Sequence, residues 1–323
     1  MLSRRDVLLG SVAAGIAARP RRAAAFADPS QPSTPVNFRV PAGACDCHLH
    51  IFGDPKRFPL SPSRIYTPER ASIDQARALH RSLHIDRVVL VQPSIFGTDN
   101  ACLLEALRQL GSRARAVAVI DAATGDRTLD ELQRAGVRGV RINLGTAGVT
   151  DATVARQQFR ATVQRVKDRR WHIQMFTQLS VIEALRDELA ASPVPVVFDH
   201  FAQAEGVAGV QQPGLSTLLA LATGGHAYVK VSGPYMCSTQ APDYPDMAPI
   251  ARALIAANPK RILWGTNWPH ANSAPPPGGT AMDVTPLRRI DDGRILNQLA
   301  VWAPDAAVRK SILVDNPAEL YGF

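Results

Sequence analysis

Eight short β-branched runs recur along the chain, most of them separated by stretches with helical spacing. The runs cover residues 44–51, 87–93, 114–121, 136–144, 171–178, 195–202, 227–233 and 261–270. Helical patterns lie between them at 72–84, 101–110, 153–167, 181–191 and 247–257. Strands alternating with helices build a parallel sheet. Eight such units in about 280 residues match a closed barrel with its helices outside. The expected architecture is therefore α/β, a single (β/α)8 TIM barrel over residues 40–323, ending in a helix within 303–323. An open doubly wound sheet would want a glycine-rich phosphate turn after the first strand. Here that strand ends in polar, chemically able residues instead, and barrels keep their active sites at the strand ends.

The first 27 residues stand apart. Arg4-Arg5 is followed by an apolar run over 7–18, shorter than the roughly 20 residues a bilayer needs. Ala25-Phe26-Ala27 then gives an A-x-A cleavage pattern. Together they predict a twin-arginine signal peptide over 1–27, a mature start near Asp28 and a periplasmic protein. Residues 28–39, rich in Pro and Ser at their start, read as a linker. The signal carries five arginines and one aspartate, half of the chain's formal charge of +8. What remains is spread thinly and forms no basic cluster of the kind nucleic acids need. It favours an anionic small-molecule substrate. No later run is long enough to span a bilayer, so no stable membrane association is expected once the signal is cleaved. Cys45, Cys47, Cys102 and Cys237 have no spacing that specifies a disulfide, and they read as reduced.

The chemistry-bearing residues gather at strand ends. In Asp46-Cys47-His48-Leu49-His50, strand alternation turns His48 and His50 to one face, where two imidazoles can share a metal or polarise one oxygen. The same alternation pairs Gln92 with Ser94, Arg141 with Asn143, and Lys230 with Ser232. His200 follows Phe198-Asp199, and Asn267 shares the face of Gly265, with His270 just beyond. Inward polar groups from so many strands are costly to bury without water or ligand. Other polar residues have plainer readings. Arg138 lies near a strand start, Cys45 and Cys47 on the face away from the histidines, Trp264 against helices, and His80, His84 and His226 in helix or loop.

The ordered set D-x-H-x-H, V-Q-P-S, G-V-R, F-D-H, V-K-V-S-G and W-G-T-N-W-P-H resembles one family. It is similar to the amidohydrolase-related, lactonase-like branch of the amidohydrolase superfamily, over roughly residues 40 to 323. The resemblance implies that His48, His50 and His200 surround a lactone carbonyl, with Asn267 where the hydrolases place a catalytic aspartate. It makes Arg141, Ser94 and Tyr235 candidates for holding substrate carboxylates. Gln92, Asn143, Gln174, Lys230 and His270 complete the candidate substrate-binding set. Gln174 stands where binuclear relatives have a histidine ligand, with His172 deeper, so a binuclear metal site is not expected. The resemblance implies no essential cofactor. A single divalent metal on His48, His50 and His200 is the alternative.

Asn267 divides the functional readings, because a carboxamide cannot accept a proton at neutral pH. The leading expectation is a hydrolase that opens a small carboxylated or hydroxylated lactone, with a histidine serving as base. A lactone isomerase, in which a substrate hydroxyl attacks, is the second. A non-catalytic periplasmic binding protein is the third. A metal-dependent decarboxylase fits less well, since it too would want the aspartate.

Overall fold

The computed structural model describes residues 29–323; the expected signal peptide lies outside them. Eight parallel strands hydrogen-bond in sequence order. They are β1 (Cys45–Leu49), β2 (Arg87–Val91), β3 (Ala114–Ala118), β4 (Val137–Asn143), β5 (His172–Phe176), β6 (Val196–Phe198), β7 (Ala227–Ser232) and β8 (Ile262–Gly265). Closure comes just beyond β8, where the N–H of Asn267 donates to His48 O and the N–H of His50 to Trp268 O, both at 2.8 Å. The result is the expected single (β/α)8 barrel.

Each strand lies within its expected run but is shorter, and two of the differences matter for the site. β6 stops at Phe198 and β8 at Gly265, so His200 and Asn267 stand on turns rather than in strands. Three outer helices were not among those expected: Asp126–Ala135, Leu215–Thr223 and Asp292–Trp302. The single closing helix is instead Ala306–Lys310, a π turn over Ser311–Asp315, and Asn316–Tyr321. α1 (Ile73–Leu83) shows how the sequence starts a helix here. Ser72 and Gln75 form a reciprocal capping box, and Ala76, Leu79 and Leu83 bury one face. Such a cap contributes about 1 kcal/mol.

Two apolar layers result. The larger lies between barrel and helices. The smaller fills the lumen with Cys45, Cys47, Val89, Val91, Val117, Val197 and Leu263, and Tyr321 closes it from below. This corrects the face assigned to Cys45 and Cys47, which point into the barrel beneath the histidines. The cause is an extra residue in β1: Asp46 pairs with Val88 but Leu49 with Leu90. A bulge of this kind resets strand alternation, so Cys47 and His48 both reach the lumen. All four cysteines are free and buried.

Residues 30–37 have no regular structure but are tied to the barrel. Ser33 and Thr34 donate to Asp291, Asn37 pairs with Asn297, and Trp268 Nε1 donates to Ser30 O. No helix among the described residues is long and apolar enough to cross a membrane.

Candidate active site

A pocket opens at the C-terminal ends of the strands. His50, His200, Asn267, Arg141 and Ser94 line it, together with Phe176, Tyr66, Thr146, Met236 and Ser273. His48 lies directly beneath, fully buried, its Nε2 3.3 Å from His50 Nε2. The expected convergence of His48, His50, His200 and Asn267 is thus present. Gly233 lies between the last two, and a Cβ there would stand 3.3 Å from both Asn267 Nδ2 and His200 Nδ1.

The backbone at this rim is strained. His200, Phe201, Ala202 and Gln203 run at φ 51 to 59°, four consecutive non-glycine residues in the left-handed region, and Asn267 sits at 61°. Such residues cost about 1–3 kcal/mol each and persist where packing over-determines them. Phe201 supplies that packing, fully buried edge-on to Trp302. Close approach also sets β1. A Cβ on Gly265 would meet His48 N at 2.7 Å, so only glycine lets β8 press against the first histidine. Asp46 completes the clamp, accepting from His48 N and Thr266 N while His80 contacts its other oxygen.

Below the pocket stands a residue not singled out in the sequence reading. Asp199 is fully buried, with Oδ1 3.1 Å from His48 Nδ1 and 3.4 Å from Lys230 Nζ. Its Oδ2 accepts from Gln174 Nε2 and from Arg141 Nε. Burial alone would raise this carboxyl, but His48, Lys230 and Arg141 outweigh it and hold it well below the usual range. One carboxylate therefore faces a guanidinium and an ammonium. The signal was the middle letter of F-D-H. Asp199 follows the end of β6 on the lumen parity of Val197, two residues earlier.

The histidines are kept neutral. Burial lowers His50 to about 3 and His200 to about 4, and it lowers His48 well below its ordinary value. His50 Nδ1 faces Val91 O at 2.7 Å. A carbonyl only accepts, so neutral His50 keeps its proton on Nδ1 and turns a bare Nε2 inward. His48, between Asp199 and His50, can carry its proton on either nitrogen and so hand one across.

Behind Asn267 runs a second buried chain. Asn267 Nδ2 donates to the Tyr235 hydroxyl at 2.9 Å, Tyr235 meets His270 Nδ1 at 3.0 Å, and His270 Nε2 meets Asp292 at 2.9 Å. Tyr235 and His270 thus stand behind Asn267 rather than lining the pocket. Four other candidates also lie off its lining. Gln174 and Lys230 lie below and hold Asp199. Gln92, past the end of β2, donates to Gly97 O and Asp99 O to fix the following loop. Asn143 accepts from Thr146 N and borders a neighbouring groove. Tyr66, Thr146 and Ser273 were missed because they sit on loops, and Met236 because it ends a single 3-10 turn, where no periodicity marks them.

Among the described residues, His48, Asp199 and His200 offer ligand atoms within 4.8 Å of one another. Asp199 Oδ2 is engaged by Gln174 and Arg141, whereas Oδ1 makes no hydrogen bond and is left to face His48 and Lys230. That set could offer one divalent ion two neutral imidazoles and a carboxylate.

The family profile described as Amidohydrolase matches residues 45–323. This chain belongs to the amidohydrolase family. A 4-sulfomuconolactone hydrolase of Rhizobium radiobacter is 35% identical over 297 residues, covering 91% of this chain and 95% of that protein. A D-galactarolactone isomerase of Agrobacterium fabrum is 30% identical over 294 residues, covering 89% and 94%. A solved Pseudomonas putida structure, assigned provisionally as a 2-pyrone-4,6-dicarboxylic acid hydrolase, superposes with TM-score 0.72. It is 30% identical, covering 88% of this chain and 98% of that one.

Proposed function

We propose that this amidohydrolase opens a small anionic lactone by hydrolysis, releasing a hydroxy acid. One observation carries the reading: a polar pocket lined by His50, His200, Asn267 and Arg141, into which His50 turns an unprotonated Nε2. Arg141 uses Nε and Nη2 on Asp199 and still lines the pocket, so it can hold an incoming carboxylate or sulfonate. The excess of cation over carboxylate supports the same class of substrate. Ser94, Thr146 and Ser273 supply hydroxyls at the rim.

Water attacking the ring carbonyl must lose a proton. The His50 Nε2 lone pair is oriented to take it, and His48 connects it to Asp199. His200 is the other imidazole beside the carbonyl. The ring C–O bond breaks, the leaving alkoxide takes a proton, and ionisation of the new carboxylic acid releases one proton to solvent. This route uses the chain's own residues and no essential ion. An ion held by His48, Asp199 and His200 would act as a Lewis acid on the carbonyl.

The test pairs metal analysis of the purified protein with proton release from 4-sulfomuconolactone and 2-pyrone-4,6-dicarboxylate. Steady proton release at substoichiometric metal supports the reading. Turnover of the lactone with no proton released would overturn it in favour of isomerisation. Asn267 is the observation that favours that second reading, because its carboxamide can orient a substrate hydroxyl but cannot deprotonate water. The isomerase relative strengthens it.

Export is part of the same proposal. Arg4-Arg5, the apolar run and Ala25-Phe26-Ala27 direct the chain to the periplasm by the twin-arginine route. Changing Arg4 and Arg5 together to lysine should leave the unprocessed chain in the cytoplasm. Unaltered periplasmic delivery of that variant rejects the localisation.

A further inference from the structure

The wall behind Asn267 contains a buried polar chain that the hydrolysis scheme does not use. We propose that Asp292, His270 and Tyr235 form a positioning relay that holds the Asn267 carboxamide with Oδ1 turned into the pocket. The wall then presents an acceptor to the attacking water or hydroxyl. The value of that acceptor rests on the lactone-opening reading, but the relay itself does not.

Hydrogen-bond polarity gives the argument. Asn267 Nδ2 lies 3.3 Å from the Met236 sulfur and 2.9 Å from the Tyr235 oxygen. A thioether has lone pairs and no proton, so it can only accept. The amide nitrogen, not the oxygen, belongs on that side. Tyr235 then accepts from Asn267 and directs its own proton to His270 Nδ1, 3.0 Å away. His270 must keep its remaining proton on Nε2, toward Asp292 Oδ2 at 2.9 Å. Each link fixes the next. Tyr235 is nine per cent exposed, while His270 and Asp292 are fully buried, so water does not compete along the chain. With Nδ2 committed twice, the group Asn267 offers the pocket is Oδ1.

The relay has a reversed form. If His270 carried its proton on Nδ1, it would donate to Tyr235, and the hydroxyl would then donate to the amide. Asn267 would turn over and show the pocket a donor. The Asp292 carboxylate blocks this form by accepting from Nε2. Asp292 is thus a positioning residue that acts through two others on a group at the reacting centre.

The experiment reads the His270 tautomer by ring nitrogen NMR in the full mature protein and in Asp292→Asn. Kinetics follow with 4-sulfomuconolactone and 2-pyrone-4,6-dicarboxylate as probes. Wild type should show Nε2 protonated and Nδ1 bare, and Asp292→Asn should move protonation toward Nδ1. Turnover should fall about 10- to 100-fold in Asp292→Asn and in Tyr235→Phe, the second variant guarding against misfolding of the first. KM should stay within about twofold, as for a group that orients rather than binds. In an Asn267→Ala background neither substitution should lower kcat further. Wild-type His270 protonated on Nδ1, or losses that multiply in the Asn267→Ala background, would overturn the relay. If neither probe is turned over, the lactone reading fails while the tautomer measurement still decides the relay.

Discussion

The two walls of the pocket each rest on a fully buried aspartate, and the two carboxyls shift in opposite directions. Asp199 sits among His48, Lys230 and Arg141, whose attraction outweighs burial and holds it ionised. Asp292 has His270 alone, burial prevails, and its pKa rises. Burial is shared, so the number of cationic partners decides the sign. The ionic wall is accordingly a fixed anchor. The amide wall is a directional hydrogen-bond chain whose polarity can be reversed.

Removing each anchor is the most severe test of that contrast. Asp199→Ala leaves Lys230 and Arg141 buried without their anion and should cost about 3–5 kcal/mol in urea unfolding. Asp292→Ala leaves one hydrogen-bonding group unpaired and should cost about 1–3 kcal/mol. Equal losses would break the comparison. A catalytic version uses His200→Ala, which should lower turnover about 10²–10³-fold on a lactone substrate with the fold intact by circular dichroism. If Asn267→Ala lowers it more, the amide wall rather than the histidine wall dominates the chemistry.

Gly265→Ala sharpens the comparison structurally. Its Cβ would press on His48 N and Cβ at 2.7 and 2.8 Å. We expect about 1–3 kcal/mol of destabilisation, with activity falling beyond what the stability change explains. A fully active variant of unchanged stability would show that the β1–β8 seam is not tightly set.

The smallest expected effect is a pH slope. His50 and His172 are held at about 3 and His200 at about 4, each below the ordinary value near 6.5. Between those limits the unfolded chain binds more protons than the folded one, so stability is present above about pH 6.5 and falls as pH drops toward 4. Asp199 adds its loss only at more acid pH, as pH falls through its own depressed pKa. His172 has no hydrogen-bond partner for either ring nitrogen. His172→Leu should therefore flatten the slope of Tm between pH 6.5 and 4 while stability at pH 8 changes little. A slope unchanged by that substitution would remove His172 from the acid-sensitive set.

The sequence by itself determined the barrel, because eight β-branched runs with intervening helical spacing leave a chain few other ways to bury its apolar faces. It also determined the histidine pair of β1 and singled out Asn267, since both lie in or beside strand-end motifs that carry local pattern. Alternation failed where the backbone left regular strand geometry. The bulge in β1 turned Cys47 inward. The left-handed turn after Phe198 and the break after Gly265 carried His200, Asn267 and His270 beyond the reach of parity. Gln174 and Lys230 were correctly read as inward, yet depth along the barrel made them supports for Asp199 rather than pocket groups. Asp292 could not be read at all. It lies 22 residues beyond His270 on a helix whose pattern shows only an amphipathic face, and only tertiary packing joins it to the site. Local pattern reports which face a side chain takes within one element, whereas the partners of a buried charge are set by elements distant in sequence. Those partners fix its protonation and its role.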